Sequence, residues 1–323
     1  MAPNCLSVYD PDNTWNFCPS LPAAILFTVL FGIVSALHVF QAARYKTTFC
    51  WAIIMGALWE TASFLIRNIS IYNPKSEGPA DTWFLLFLLA PLWINAFDYM
   101  LLGRMVFQYL PNQKLGGIKA QRMALYFVIL DIVSFIVQIG GGLMVISKNN
   151  RTRENGLHIY TAGLVLQECF ILVFAALVFT FNRRVKREAS VEQAARAKKL
   201  VLALYASLFL ISIRIIYRLL EFAGSFDSAL TQELWTHEVY QYALDATPMF
   251  FALLIMVVMH PGRVLPGEMS TFKQFSSNRV VVQGEEKSGR RFFGRKKVGS
   301  SGSSLEPIQM NAHPGQDNSW AKH

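Results

Sequence analysis

Seven apolar stretches of about 20 residues run through the chain, at 21–43, 48–68, 83–107, 122–147, 157–181, 200–223 and 239–259. All but the first carry charged residues inside them. Each is long enough to cross a hydrocarbon core of roughly 30 Å as a helix. Exposing an acid or arginine to lipid costs about 2.5–3.5 kcal/mol on insertion scales. Glu60, Arg67, Asp98, Arg104, Asp131, Glu168, Arg214, Arg218, Glu221 and Asp245 therefore have to face one another or a watery cavity. The expected fold is all-α: a polytopic membrane protein with seven transmembrane helices, whose function sits between them.

Hydrophobic residues make up 53% of the 323 positions, which fits one membrane domain with tails rather than several soluble domains. The start lacks a basic stretch, so a cleaved signal peptide is not expected. The net charge of +9 invites a nucleic-acid reading, but its distribution argues against one. Segments 1–20, 69–82, 148–156 and 224–238 hold only Lys75, Lys148, Arg151 and Arg153, while the alternate loops and the tail hold most of the 30 basic residues. By the positive-inside rule the N-terminus is outside and the C-terminus cytoplasmic. The expected domains are an extracellular segment 1–20, a seven-helix domain 21–261 and a disordered basic cytoplasmic tail 262–323. The tail run Arg290-Arg291-Phe292-Phe293-Gly294-Arg295-Lys296-Lys297 is suited to holding it on an anionic inner leaflet. The basic, Ala-rich loop 182–199 has no helix breakers and reads as helical extension beyond the lipid.

Cys5 and Cys18 are the only cysteines in the outer segment, where a disulfide is expected; Cys50 and Cys169 lie within spans as packing residues. Asn150-Arg151-Thr152 is a glycosylation sequon in an outer loop, so Asn150 is the expected acceptor. The sequon at Asn68-Ile69-Ser70 is too near the bilayer edge to expect modification.

The polar groups repeat at helical spacing. Arg214, Arg218 and Glu221 fall at i, i+4 and i+7 and share one face, as do Glu238, Tyr242 and Asp245, and Asp131, Ser134 and Gln138. Arg218 and Glu221 can pair along the helix, leaving Arg214 for an acid on a neighbour. Glu60, Ser63 and Arg67 form a similar face in span two, and Asn95 and Asp98 one in span three, where Pro91 is a kink candidate. Gly140-Gly141-Gly142 allow close helix approach, within the bundle or in a dimer, so the oligomeric state stays open. So many charges in so many helices favour a lined polar path over a few packing locks.

Other seven-helix classes fit poorly. A retinal protein needs a lysine in its last helix, and 239–259 has none. Receptor signatures are missing where helices three and seven read Leu102-Gly103-Arg104 and Val257-Val258-Met259-His260-Pro261. The histidines lack the layered grouping that a zinc site requires, so no metal is expected. Gly284 to Gly289 echoes a P-loop, but Arg290-Arg291 follow where its Lys-Ser/Thr would stand, so no nucleotide or other cofactor is expected. No catalytic set supports an enzyme.

The motifs resemble the fungal lipid-translocating exporter family. They include Pro19-Ser20-Leu21-Pro22, His38, Glu60 with Arg67, Leu89-Ala90-Pro91, Tyr99 with Leu102-Gly103-Arg104, and Asp131 with Ser134 and Gln138. Gly163 with Gln167, the block Arg214-x-x-Tyr217-Arg218-x-x-Glu221-Phe222, and Glu238, Tyr242, Asp245 and Pro248-Met249 complete the likeness over 19–261. That family includes the aminocholesterol-resistance protein, the sphingoid long-chain-base exporter and a protoporphyrin transporter. The resemblance implies a multi-pass plasma-membrane protein that moves amphipathic lipids, sphingoid bases or sterol-like compounds, and contributes to lipid asymmetry and toxic-compound resistance. Its expected translocation residues are Glu60, Asp98, Asp131, Gln138, Arg214, Arg218, Glu221, Tyr242 and Asp245. Their acids are suited to pairing a sphingoid ammonium, with Trp59, Phe97 and Tyr242 against its chain, or to coupling transport to protons. The alternative is a receptor-like sensor that acts on lipid asymmetry indirectly through the basic loop and tail.

Overall fold

The computed structural model describes residues 13–265 except 146, 148 and 225–228. The expected tail therefore lies almost wholly outside the described residues. Among the described residues, seven helices are long and apolar enough to cross a membrane. The first six crossings are α1 (Leu21–Tyr45), α2 (Trp51–Tyr72), α3 (Glu77–Tyr109), α4 (Ala120–Val145), α5 (Asn150–Glu188) and α6 (Val191–Ala223). The seventh is composite. It begins with a short helix α8 (Glu238–Gln241), passes through a π-helical turn at Tyr242–Ala246, and continues as α9 (Thr247–Val258). A further short helix, α7 (Ala229–Thr236), precedes it.

Local chemistry sets the ends. Pro22 starts α1, where its missing N–H would have had no helical acceptor, and Lys46 closes it in the left-handed region at φ 52°. Ser190 and Gln193 form a reciprocal capping box that starts α6 immediately after α5 ends, so the basic segment 182–199 is helical on both sides of one break. Gly116 and Gly117, at φ 56° and 81°, turn a hairpin between β1 (Lys114–Leu115) and β2 (Ile118–Lys119). The hairpin joins α3 to α4.

Each crossing packs on its neighbours in sequence, and α1 closes the ring against α9, while α3 also reaches α6. The outer faces are apolar and exposed: Leu26, Val29, Ile33 and Phe40 on α1, and Leu125, Ile129, Ile132, Ile136 and Leu143 on α4. In water this would be an unstable surface, whereas against lipid it is the solvated one. Helices α4 and α5 approach closely. A Cβ on Gly141 would lie 2.3 Å from the Tyr160 nitrogen, and one on Gly163 would lie 2.7 Å from Gln138 Cγ. Gly140 and Gly142 have open space, so within the glycine triplet only Gly141 serves this contact.

Candidate functional site

A proline organises the centre of the bundle. Pro91 lies inside α3 and has no N–H, so the Phe87 carbonyl four residues earlier lacks its helical donor. Arg214 Nη2 from α6 donates to that carbonyl at 3.0 Å. The same guanidinium donates through Nε to Asp245 Oδ1. Arg218, one turn further along α6, places Nη2 2.5 Å from Asp245 Oδ2 and donates through Nη1 to Glu221 Oε2 at 3.1 Å. Asp245 is thus clasped by two arginines, with its side chain 0% exposed.

The backbone at Asp245 explains its reach. Pro248 crowds the carbonyl of Leu244, and the chain widens there into the π turn that carries Tyr242 and Asp245. Such turns recur at functional sites because they re-aim side chains without ending the helix.

Glu60 of α2 lies in the electrostatic field of Arg214, Asp245 and Arg218. It is fully buried, and neither carboxyl oxygen has a hydrogen-bond partner among the described residues. Buried acids ordinarily have partners, because an unmet carboxyl forfeits its hydration with no return. Arg214 and Arg218 are thus matched against Asp245, Glu221 and Glu60, one acid more than the guanidiniums.

Above this cluster, towards the end where α6 finishes, Arg67 donates to Glu238 Oε1 at 2.8 Å and to Gln241 Oε1 at 3.0 Å. Its guanidinium carbon lies 4.4 Å from the Trp83 ring centroid, 5.0 Å from Trp15 and 5.2 Å from Tyr242. A desolvated cation over aromatic faces gains about 2 kcal/mol. Trp15 and Trp83 stack at 5.6 Å, and Thr14 bonds the Pro74 carbonyl through both its amide and its hydroxyl. Residues 13–20 are therefore strapped across this end of the bundle. A 290 Å³ cleft opens beside it, lined by Trp15, Phe17, Trp83, Phe84, Phe222 and Trp235 among others, with Glu221 and Gln241 in its wall.

The remaining expected residues form separate polar contacts. Asp98 of α3 accepts from Ser207 of α6 at 2.6 Å. Asp131 of α4 accepts from Tyr99 at 2.9 Å and Asn95 at 3.1 Å. Gln138 donates to Gln167 of α5 at 3.0 Å. Tyr242 stacks on Phe27 at 4.9 Å. Glu60, Arg214, Arg218, Glu221 and Asp245 are thus brought together, Tyr242 borders them beside Arg67, and Asp98, Asp131 and Gln138 stand apart. Arg67, Glu238, Trp15 and Trp83 complete the outer end. Helical spacing displays Arg67 and Glu238 on polar faces, but nothing in the sequence pairs them, and Trp15 gives no periodic signal.

Cys5, half of the expected bridge to Cys18, lies outside the described residues; Cys50 and Cys169 are free thiols. Asn150 is exposed at the start of α5, where Asn149 caps the helix by accepting from the Arg151 amide. Asn68 is inside α2 with its amide donating to Thr28 at 2.9 Å. Among the described residues no group of His, Cys, Asp and Glu is placed to hold a metal ion.

The family described as RTA1 like protein matches residues 53–268, which cover all but the first two residues of α2 and every later element above. The chain is similar to "Probable lipid transporter atnI" of Emericella nidulans, 38% identical over 80% of this chain and 70% of that protein. It is similar to "Lipid-translocating exporter-like protein RTA1" of Leptosphaeria maculans, 28% identical over 83% of this chain and 55% of that one. It also matches "Sphingoid long-chain base transporter RSB1" of Saccharomyces cerevisiae, 25% identical over 78% of this chain and 74% of that one. These relatives are named as transporters or exporters rather than enzymes. No solved structure matches the chain. With its seven crossings and its match over two-thirds of its length, the chain belongs to the RTA1-like protein family.

Proposed function

We propose that this protein is a translocator of amphipathic lipids, with cationic sphingoid bases the best-fitting substrate. One observation carries the choice of a cation. Glu60 is a wholly buried carboxyl without a hydrogen-bond partner among the described residues, beside a cluster that already has an acid for each arginine. A substrate ammonium supplies the missing partner. The cleft at the Glu221 end combines aromatic rings with an acid, the chemistry that takes a cationic head and an apolar chain. The names of the relatives support lipid as the cargo and favour transport over a sensor.

Glu60, Arg214, Arg218, Glu221, Tyr242 and Asp245 form the substrate-facing set in this reading. Asp98, Asp131 and Gln138 line the route from flanking contacts. The N-terminus is outside, the C-terminus cytoplasmic and the membrane the plasma membrane, with the basic tail against its anionic inner leaflet. A Cys5–Cys18 bridge tethers the outer strap, and Asn150 carries a glycan.

The test is flipping of a fluorescent sphingoid base by purified protein in liposomes, with and without a pH gradient. Wild-type protein is expected to flip it. Glu60→Gln, which breaks no hydrogen bond, is expected to stay folded and lose that activity. Undiminished flipping by Glu60→Gln removes Glu60 from the route. Absence of flipping by folded wild-type protein refutes translocation.

A further inference from the structure

The opposite end of the bundle has a second cleft, of about 570 Å³, between the start of α6 and the end of the seventh crossing. Arg196 and Lys199 of α6 line one wall, and His260 and Arg263 line the other. Leu200, Val258, Met259 and Val264 supply its apolar surface. We propose that this cleft binds the phosphate headgroup of an anionic phospholipid from the leaflet at that end.

The charge balance points to an anion. Among the described residues the single acid in the lining, Glu192, is paired with Arg196 at 2.5 Å. Both partners are largely exposed, so this pair is weak and readily exchanged. Lys199 makes no ion pair or hydrogen bond among the described residues. Arg263 is held in place instead: Nε donates to the Tyr45 hydroxyl at 3.3 Å and Nη1 to the Val258 carbonyl at 3.3 Å. His260 is fixed behind it, stacked on Tyr45 at 5.2 Å and accepting from the Gly262 amide at 3.1 Å. The positioned guanidinium and the unpaired ammonium thus flank a single space.

The level in the membrane points to lipid. Lys199 immediately precedes the apolar run of α6, and Arg263 ends the seventh crossing. Both cations therefore sit where the hydrocarbon core ends and headgroups begin. Val258 is 60% exposed and Leu202 59%, so the apolar wall continues onto the lipid-facing surface. A phosphate between Lys199 and Arg263 would leave its acyl chains against that wall.

Full-length protein in detergent micelles is titrated with dioctanoyl phosphatidic acid, dioctanoyl phosphatidylcholine and inorganic phosphate, and binding is read by native mass spectrometry. Saturable binding of phosphatidic acid over phosphatidylcholine is expected. Lys199→Gln should weaken it about tenfold, the loss of one charge-assisted contact. Arg263→Gln should do the same, and Lys186→Gln with Arg187→Gln, on exposed turns outside the cleft, should not. Lys199→Gln breaks no bond, so it separates ligand loss from misfolding at Arg263. Inorganic phosphate binding as tightly as the lipid would overturn the lipid assignment. So would equal binding by Lys199→Gln and wild type. Binding that emerges only when Glu268, Glu285 and Glu286 are changed to Gln would assign the cleft to the chain's own tail and overturn the proposal.

Discussion

Arg214 donates to the Phe87 carbonyl that Pro91 leaves without a helical donor. One proline therefore creates the acceptor that anchors an arginine from another helix. The arginine then presents its Nε to Asp245 in the widened turn of the seventh crossing. Two local irregularities, a proline in α3 and a π turn before Pro248, are thus joined by one side chain.

Pro91→Ala restores an N–H that competes with Arg214 for the Phe87 carbonyl. A proline inside a helix costs about 3 kcal/mol, so α3 should be no less stable. Flipping of the sphingoid base should nevertheless fall, because Arg214 loses the contact that aims it. A thermal melt and the liposome assay on the same preparation check this. Unchanged flipping would show that the anchor serves packing alone.

Asp245→Asn leaves Arg214 and Arg218 facing each other without their shared carboxylate. Removing one partner of a buried ion pair costs about 3–5 kcal/mol. Glu221→Gln should cost less, because that side chain is 12% exposed and meets one arginine. Melting temperatures of the two variants in one detergent give the order. Equal losses would mean that Asp245 is not the keystone of the cluster.

Gly141→Ala should separate α4 from α5, since the added carbon meets Tyr160 backbone at 2.3 Å. Overpacking of this kind costs about 1–3 kcal/mol. Gly140→Ala meets nothing and should be neutral or slightly stabilising. Thermal melts of the pair suffice, and parity between them would contradict the close crossing.

Asn150→Gln should abolish a glycosidase-sensitive mobility shift in protein from a glycosylating host, while Asn68→Gln should leave the shift intact. Asn150 is exposed at a helix start, whereas Asn68 is engaged with Thr28 inside α2. Absence of any shift in the wild-type protein would place that loop on the other side of the membrane, and a shift lost in Asn68→Gln instead would assign the glycan to Asn68.

The sequence by itself determined the seven crossings, because the demand that lipid face only apolar surface acts on each segment independently and writes itself as length and hydropathy. It also determined which side chains need partners, since Arg214, Arg218 and Glu221 share a face through helical spacing alone. Only the tertiary structure decided the pairing. Asp245 meets two arginines because the π turn and Pro248 re-aim it, and Arg67 of α2 meets Glu238 because α8 begins within its side chain's reach. Asp98, Asp131 and Gln138 carry the same sequence signal as Glu60, yet bond to Ser207, Tyr99 with Asn95, and Gln167. Spacing orients a side chain about its own helix axis. Which neighbour it meets depends on how seven helices close into a ring, which short-range periodicity does not encode.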